Sequence, residues 1–353
     1  MNQFIEFVEI KNFKSIKQIK FDCSRINIFI GKPSSGKSSI LEAISFLGSP
    51  GNDYFFNDYI HYETLNNLFF DNELRKNIRV ETNICEAYLR FFNNNKSFGY
   101  FFDSFKLGYE AISSEDSYLE ANSIFNQLNN NLKSSPEKIE LFPRYFFEVQ
   151  NSGVFEGLSK KYDNRVKKYI FRRLLKHDSL FAKYLTPPDG NNLMTILQYN
   201  SEIITLLSSI FRDCGFTLEV DFIDNRIKVQ KKKKGAVFSF PFSMISDSLQ
   251  RLAIHLSAIM SNEDSIIIFE EPEIHQYSAH ISIIGEQINK SKENQFFIST
   301  YNPLLIHSII NNVDSDCKIF EVSIENYETK ITELPDNEIQ KYKELNPYQM
   351  QYI

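Results

Sequence analysis

The stretch "INIFIGKPSSGKSSILEAISFL" (residues 26–47) decides the fold, because an apolar run, a glycine-bounded loop and an amphipathic segment follow one another directly. Its centre, "GKPSSGKSS" (31–39), fits the phosphate-loop pattern G-x-x-x-x-G-K-[ST]. The apolar run is predicted to be a β-strand and the segment after the loop a helix. One face of that helix is apolar: Ile40, Leu41, Ile44 and Leu47. A phosphate loop needs this order of strand, loop and helix.

The residue types in the loop suit a polyphosphate. Glycines let the backbone curl so that successive N–H groups point at phosphate oxygens, and the positive end of the following helix adds to that field. Lys37 is expected to reach the β- and γ-phosphates, and the Ser38 hydroxyl is expected to coordinate Mg²⁺. ATP with Mg²⁺ is therefore the expected ligand. The predicted nucleotide-binding residues of the loop are Gly31, Ser34, Ser35, Gly36, Lys37, Ser38 and Ser39.

A second motif, "SIIIFEEPE" (265–273), places two acids at the end of an apolar strand. P-loop enzymes need an acid at the tip of a buried strand close to Mg²⁺. Glu270 is expected to orient water around the metal, and Glu271 to act as general base toward the attacking water. Neighbouring side chains on a strand point in opposite directions, so the two acids are predicted to have different roles. A solvated strand end with ordinary surface acids is the alternative.

The pattern of elements predicts an α/β protein with a mixed or parallel sheet. Residues 1–105 are expected to form the first part of the domain, with an antiparallel β portion before the loop. Residues 106–215 are expected to be a mainly helical insertion. Residues 216–353 begin with a predicted antiparallel meander and continue as alternating helices and strands, with strands at 265–270 and 295–300. Such alternation implies parallel strands joined by crossover helices.

Composition excludes several classes of protein. The chain is 42% hydrophobic and 24% charged, as in soluble globular proteins, and its net charge of −6 argues against a generally basic nucleic-acid protein. The four cysteines are scattered, which favours a reducing compartment. No signal peptide and no apolar run of about 20 residues is visible, so a cytoplasmic protein without a membrane partner is expected.

The motifs together resemble those of ABC-type ATPases of the RecF, SMC and OLD (overcoming lysogenisation defect) kind. The resemblance is closest to the OLD-like ATPases of bacterial phage-defence systems. "VEIKNFKSIKQIKFD" is similar to the family's opening, "MISDSLQRLAIHLSAI" to its signature segment, and "FFISTYNPLLI" to its switch strand. The implied fold is a P-loop NTPase with an ABC-ATPase head. The insertion is too short for an SMC arm, and no toprim nuclease is expected in the last fifty residues.

The resemblance implies an assembly. Such ATPases pair head to head, and each nucleotide lies between one subunit's phosphate loop and the other's signature segment. Ser246 is then expected to bond the γ-phosphate across the interface, with Ser248 beside it in place of the family's usual glycine. Without the resemblance, an N-capped amphipathic helix explains this segment equally well. Lys14, in "NFKS", occupies a position where the family often has a basic residue near the phosphates; a surface lysine is the alternative.

One departure from the family bears on the rate of hydrolysis. "STYNP" has Tyr301 where a switch histidine is usual. A histidine there exchanges protons near neutral pH, whereas a tyrosine hydroxyl, with an unperturbed pKa of about 10, is a poor proton shuttle. Slow or partner-triggered ATP hydrolysis is therefore expected, with Glu271 and Tyr301 as the catalytic pair. Pro33 also replaces an asparagine that is usual in the loop.

The chain has two basic stretches. "KKYDNRVKKYIFRRLLK" (160–176) holds eight basic residues and one acid, and its apolar residues recur at helical spacing. It is predicted to be either a phosphate-binding surface for DNA or RNA, or a solvated or acid-docking helix. "KKKK" (231–234) is interpreted as a solvated hairpin tip. His275 and His280 are interpreted as structural.

The expected function is that of an ATPase working as a nucleotide-gated switch. A homodimer or larger homo-oligomer is implied, acting as the sensor or regulatory subunit of an antiviral complex whose separate effector is a nuclease or toxin. Two alternatives remain open. One is a RecF/SMC-like DNA-repair ATPase, and the other is a nucleotide-binding scaffold with little hydrolysis.

Overall fold

The computed structural model describes residues 4–48, 55–93, 96–103, 123, 145–155, 165–173, 183–221, 224, 226–311 and 316–344. The strands within these ranges are β1 (Phe7–Phe13), β2 (Ile16–Asp22), β3 (Ile26–Ile30), β4 (Ile78–Thr82), β5 (Glu86–Phe92), β6 (Ser97–Asp103), β7 (Tyr145–Val149), β8 (Val166–Tyr169), β9 (Thr217–Asp221), β10 (Arg226–Lys233), β11 (Ala236–Pro241), β12 (Ile266–Glu270), β13 (Gln295–Ser299), β14 (Cys317–Glu325) and β15 (Glu328–Glu333).

The helices within the same ranges are α1 (Lys37–Ser45), α2 (Phe55–Tyr59), α3 (Leu193–Tyr199), α4 (Ser201–Asp213), α5 (Asp247–Ser261), α6 (Ser278–Lys290), α7 (Pro303–Ile310) and α8 (Asp336–Lys343). Short 3₁₀ turns lie at Leu65–Leu68, Phe70–Asn72 and Phe242–Met244. The chain divides into two compact units. The first contains Met1–Val166 and Lys318–Leu334, and the second contains Lys167–Cys317 and Pro335–Ile353.

The first unit contains an antiparallel sheet in the order β2-β1-β4-β5-β6-β7. The antiparallel β portion predicted before the phosphate loop is confirmed as β1 and β2. Strands β4, β5 and β6 supply three further strands of the sheet. Aromatic rings fill the space behind the sheet, and the rings of Phe13 and Phe46 meet edge to face with centroids 5.4 Å apart. This contact joins β1 to the end of α1 and fixes the helix that follows the phosphate loop.

The first unit also contains β3, which lies beside the hairpin β14-β15 in the order β15-β14-β3. Four of the five residues of β3 are buried: three are apolar, and the fourth, Asn27, exchanges hydrogen bonds with the backbone of Ser24. Asn326 and Tyr327, at the turn of the hairpin, both have positive φ, as a tight two-residue hairpin turn requires. The phosphate loop therefore leaves a buried strand whose neighbour comes from the far end of the chain.

The second unit contains the predicted β–α–β alternation. Strands β12 and β13 are parallel, with Glu270 opposite Ser299 at their ends, and α6 is the crossover between them. The helices expected to alternate with these strands are confirmed: α5 precedes β12, and α7 begins at Pro303 after β13. Strand β8 lies beside β12.

The structure differs from expectation in the inserted region. The helix expected from the spacing of Tyr162, Val166, Ile170 and Leu174 is wrong at 166–169, which is strand β8. The reason is that all four residues of β8, two lysines included, are buried, so this segment has no solvated face. Residues 145–149 are also a strand, whereas α3 and α4 are helical as expected. The rest of the 160–176 stretch lies largely outside the described residues.

The predicted meander is confirmed as a three-stranded antiparallel sheet in the order β11-β10-β9. Ile227 and Val229 of β10 are buried, whereas the far half of the β10-β11 hairpin, from Lys231 to Phe240, is exposed. No helix among the described residues has both the length and the apolar character to cross a bilayer. The architecture is α/β with mixed parallel and antiparallel pairing.

Candidate nucleotide site

The backbone of the phosphate loop has no room for side chains at its two glycines. Gly31 has a φ of +145°, and a Cβ there would lie 2.2 Å from the carbonyl oxygen of Val322 in β14. Gly36 has a φ of +100°, and a Cβ there would lie 2.3 Å from Oγ1 of Thr329 in β15. Glycine is thus required at both positions for two reasons: the positive φ disfavours other residues, and the β14-β15 hairpin leaves no space for a Cβ.

Thr329 is the residue that fixes this packing. It is buried, its backbone N–H donates to the carbonyl oxygen of Ser15 at 2.8 Å, and its hydroxyl lies 2.7 Å from the hydroxyl of Ser15. The hydroxyl and methyl groups of Thr329 both lie over Gly36. The second glycine of the loop is therefore enclosed by Thr329, a residue far later in the sequence, and Ser15 holds Thr329 in place.

Lys37 is buried, and its ammonium group donates to the carbonyl oxygens of Gly31 at 2.9 Å and Lys32 at 3.0 Å. The side chain therefore folds back across the concave side of the loop. The hydroxyl of Ser35 is buried, and it has no hydrogen-bond partner among the described residues. A buried cation and an unsatisfied buried hydroxyl in a glycine-built cradle fit an anionic group such as a phosphate.

The other loop residues are more accessible. Ser34, with a φ of +61°, and Ser38 are exposed, and Ser39 is half-buried. Ser38 lies in the first turn of α1, where backbone N–H groups have no partner within the helix. Its hydroxyl can therefore serve as one oxygen ligand of a hydrated Mg²⁺ ion.

Lys14 forms an ion pair within the first unit. Its ammonium group bonds to Oε2 of Glu42, a buried residue of α1, and His61 Nδ1 lies 2.8 Å from the other carboxylate oxygen. The backbone N–H of His61 donates to the same oxygen at 3.1 Å. Glu42 therefore joins the β1–β2 turn, the phosphate-loop helix and the segment after α2.

In the second unit, Glu270 ends strand β12 with its side chain partly exposed. The ammonium nitrogen of Lys168 lies 3.2 Å from Oε2 of Glu270, and the Lys168 side chain is only 1% exposed. A buried ammonium group needs a counter-charge, which Glu270 supplies. The metal-binding acid expected from the sequence thus has a fixed cation beside it.

Glu271 turns out of the strand with a φ of +46°, and its backbone N–H donates to the carbonyl oxygen of Ser299 at 3.0 Å. Its carboxylate accepts a hydrogen bond from the hydroxyl of Tyr301. Burial, and then the negative charge of Glu271, raise the pKa of Tyr301 above its ordinary value of 10. The hydroxyl therefore remains protonated at neutral pH and acts as a donor to the expected general base.

Glu273 connects the acidic strand end to the switch strand. Its Oε1 accepts hydrogen bonds from the hydroxyl of Thr300 and, at 3.0 Å, from the backbone N–H of Tyr301. Its Oε2 is buried and has no hydrogen-bond partner among the described residues. Burial raises the pKa of Glu273 despite the bonds from Thr300 and Tyr301. Through this carboxylate the position of Tyr301 depends on the loop that carries Glu271.

The expected signature segment begins α5. Ser246 occupies the N-cap position and is exposed, and its side chain makes no capping hydrogen bond. The hydroxyl of Ser248 instead donates to Oε1 of Gln276 at 3.2 Å and lies 3.4 Å from His280 Nδ1. Asp247 pairs with Arg173, and that bond holds the pKa of the Asp247 carboxyl below its ordinary value. Ser246 is thus accessible to a ligand, whereas Ser248 is held within the unit.

Sequence reasoning missed three residues that shape these sites: Lys168, Glu273 and Thr329. The available signal for Glu273 was its place as the third acid of "EEPE", directly after Pro272 and two residues after Glu271. Lys168 and Thr329 gave no local signal, because their partners are distant in sequence. His280 contacts Ser248, in agreement with a structural interpretation of that histidine. The described residues contain no group of three or more His, Cys, Asp or Glu side chains that could hold a metal ion.

Comparison with known proteins gives one relative of similar length and several structural neighbours. An "ATP/GTP phosphatase" of Helicobacter pylori is 23% identical over an alignment of 337 residues, and the match covers 84% of this chain and 85% of the relative. The crystal structure of the Smc head domain with an extended coiled coil, bound to the C-terminal domain of ScpA and derived from Pyrococcus furiosus, has a TM-score of 0.51 at 14% identity. That match covers 96% of this chain and 98% of the Smc head chain. The SMC head domain from Thermotoga maritima has a TM-score of 0.42 at 13% identity, covering 94% and 100% of the two chains.

The likeness to the Pyrococcus head domain shows the fold: an α/β P-loop NTPase of the ABC/SMC head type. A family model described as "AAA ATPase domain" matches residues 4–237, well over half of the 353 residues. The matched region includes the whole phosphate loop and extends to the β10-β11 hairpin. The chain therefore belongs to the AAA ATPase domain family.

Proposed function

We propose that this protein binds ATP and hydrolyses it slowly, and that the bound nucleotide controls association of two copies. The observation that carries the proposal is the phosphate loop. Its glycines admit no side chain, Lys37 is buried across it, and the hydroxyl of Ser35 is buried without a partner among the described residues. When a phosphate binds, the Lys37 ammonium group can exchange its bonds to loop carbonyls for bonds to phosphate oxygens, and the Ser35 hydroxyl can donate to another phosphate oxygen.

The roles of the site residues follow from their chemistry. Lys37 binds the β- and γ-phosphates, and Ser34, Ser35 and Ser39 contribute to the loop around them. The Ser38 hydroxyl would hold a hydrated Mg²⁺ ion and Glu270 would orient its water, and the ion would supply positive charge toward the phosphates. Glu271 accepts the proton of the attacking water.

Tyr301 supports the slow rate. Its hydroxyl donates to Glu271, and a carboxylate that accepts a hydrogen bond is a weaker base than a free one. A tyrosine with a raised pKa also cannot relay a proton near neutral pH. The same observation favours the second candidate function, a nucleotide-binding scaffold with little hydrolysis.

The assembly and setting are further parts of the proposal. Ser246, exposed at the start of α5 with no capping bond, is suited to a γ-phosphate presented by a second copy. By analogy with the OLD-like ATPases that the motifs resemble, we place the protein in phage defence, as the sensor or regulatory subunit of a complex with a separate nuclease or toxin. A RecF/SMC-like role on DNA is the alternative setting.

The test combines nucleotide binding, turnover and oligomeric state. Lys37→Ala is expected to abolish ATP binding, whereas Glu271→Gln is expected to retain binding, lose hydrolysis and accumulate the ATP-bound dimer in sedimentation experiments. Ser246→Arg is expected to bind ATP and remain monomeric. If Glu271→Gln hydrolyses ATP at the wild-type rate while Lys37→Ala loses binding, Glu271 is not the general base and the scaffold function is favoured.

A further inference from the structure

The β10-β11 hairpin has an unusual surface. Every residue of β11 is exposed, including Val237 (52%), Phe238 (49%) and Phe240 (41%). The opposing half of β10 and the turn consist of Lys231, Lys232, Lys233 and Lys234, all exposed. None of these four lysines is paired with a carboxylate among the described residues. Large exposed aromatic side chains beside unpaired cations are the combination that requires an explanation.

The register of the hairpin brings the aromatic and basic side chains to one face. Lys231 lies opposite Phe238, Lys233 opposite Ala236 and Val229 opposite Phe240. Directly opposed residues of an antiparallel pair share a face, and so do residues two apart on one strand. Phe238, Phe240, Lys231 and Lys233 therefore lie on the same side of the ribbon, with the two phenyl rings about 7 Å apart along β11.

We propose that this face, defined by Lys231, Lys233, Phe238 and Phe240, binds single-stranded nucleic acid. Two aromatic rings at this spacing on a strand stack successive unpaired bases, and the adjacent ammonium groups neutralise the phosphates that link those bases. Stacking of this kind accepts any base, so recognition is independent of sequence. The proposal concerns a site separate from the phosphate loop and does not depend on ATP hydrolysis.

Other occupants fit this face less well. A hairpin that inserts into a membrane presents its apolar residues at the tip, whereas this tip is Lys233, Lys234 and Gly235 and the aromatic residues lie in the strand body. A protein partner would bury the lysines, and lysine is depleted at protein interfaces. The edge strand β11 carries no charged residue, and the positive charge is concentrated on its neighbour β10. Unpaired bases complement the exposed phenyl rings of β11, and the phosphates that link them complement the lysines of β10.

The experiment measures binding of fluorescent oligonucleotides to the full-length protein by anisotropy, without nucleotide. Single-stranded DNA, single-stranded RNA of the same sequence and the matching duplex are compared at several salt concentrations. Wild-type protein is expected to bind the single strands more tightly than the duplex, with affinity that falls as salt rises. The DNA and RNA arms identify which of the two sources of single strand is preferred.

Two double variants separate stacking from charge. Phe238→Ala/Phe240→Ala is expected to weaken single-strand binding at least about 10-fold while leaving the salt dependence unchanged. Lys231→Glu/Lys233→Glu is expected to weaken it and to flatten the salt dependence, with a slope smaller by about 0.7 for each phosphate that is no longer neutralised. Two matched controls should bind as wild type. Lys341→Glu/Lys343→Glu makes the same change of charge on the exposed α8, and Tyr327→Ala removes an aromatic side chain that is 92% exposed.

Three results would overturn the proposal. One is absence of single-strand binding at low salt. Another is equal loss of binding in the hairpin variants and the matched controls. The third is a wild-type protein that binds anionic vesicles or self-associates without binding oligonucleotides, when the Phe238→Ala/Phe240→Ala variant loses that vesicle binding or self-association.

Discussion

The ammonium nitrogen of Lys168 lies 3.2 Å from Oε2 of Glu270, so the acid at the end of β12 carries its own cation. The lysine comes from β8, in the inserted region, and is almost completely buried. On the proposed function, Mg²⁺ and this ammonium group are attracted to the same carboxylate. On that function, a residue of the inserted region influences metal binding at Glu270.

We expect Lys168→Met to increase the affinity for Mg²⁺. The variant lacks a positive charge that repels the ion from a few ångströms away. Even with the strong screening of bulk water, removing this repulsion raises the affinity for Mg²⁺ by about 10-fold. Mg²⁺-dependent thermal stabilisation, measured without nucleotide, gives the half-saturation point. Lys167→Met is the control, because Lys167 Nζ bonds to Asn262 and Ser265 instead of the acid. A half-saturation point that stays constant or rises in Lys168→Met would contradict the expected role.

Tyr301→His is expected to accelerate ATP hydrolysis. A histidine near its unperturbed pKa of about 6.5 exchanges protons at neutral pH, and positioned acid–base groups contribute about 10²–10⁴-fold. Tyr301→Phe removes the hydroxyl bond to Glu271 without adding a group that exchanges protons. Comparing the two variants therefore distinguishes the effect of freeing Glu271 from the effect of a proton relay. Because the pKa of Tyr301 is raised above 10, wild-type turnover should show no tyrosine ionisation below that pH. Equal rates for the histidine and phenylalanine variants would rule out the relay.

Gly36→Ala is expected to abolish nucleotide binding. The added Cβ would lie 2.3 Å from Oγ1 and 2.8 Å from Cγ2 of Thr329, in addition to the cost of a positive φ. Gly235→Ala is the matched control, since Gly235 has a φ of +81° but open space around its Cα. It should lose only about 1–2 kcal/mol of stability and keep nucleotide binding. Adding Thr329→Ala to Gly36→Ala removes both close atoms and should restore part of the nucleotide binding. If nothing is restored, the positive φ alone accounts for the loss of binding.

His255 predicts an acid-sensitive stability. Its ring packs edge to face on Phe269 with centroids 5.2 Å apart, and burial, with a smaller effect from Arg251, lowers its pKa from 6.5 to about 3. Between these values the unfolded chain binds a proton that the folded chain does not, so the free energy of unfolding falls as pH falls. This group alone removes about 1.4 kcal/mol per pH unit below 6.5.

The corresponding measurement is urea unfolding at pH 7.5 and pH 5.5. His255→Leu, which has no ionisable group, should lose about 1.4 kcal/mol less than wild type between the two conditions. The comparison uses the change with pH within each protein, so any difference in packing between histidine and leucine cancels. Identical losses in both proteins would show that His255 is protonated in the folded state near its ordinary pKa.

The parts of the fold that the sequence predicts well are those governed by local pattern. Strand β3, the phosphate loop and α1 are adjacent in the chain, and the short apolar run before Glu270, rich in β-branched isoleucine, is typical of a buried strand. The meander and the helix at 247–261 follow from alternation and helical spacing in the same way.

The parts that the sequence did not predict depend on distant partners. Lys167 and Lys168 look like solvated residues of a basic helix, yet each is buried because a specific acceptor lies beside it: Asn262 and Ser265 for one, Glu270 for the other. The partner of Lys14, the buried Glu42 of α1, was likewise not predicted. Such pairings are tertiary, and spacing along the chain carries no information about them.

The contact between Thr329 and Gly36 also limits when the protein can become active. The N–H of residue 329 bonds to the carbonyl oxygen of Ser15, and β15 contributes one wall of the loop. A growing chain on the ribosome presents the loop sequence early but lacks this wall until the chain has been extended through β15. At typical synthesis rates of about 5–20 residues per second, that delay is tens of seconds. On the proposed function, ATP is therefore a ligand only of a chain that already contains β15, and it cannot assist the earliest stages of folding.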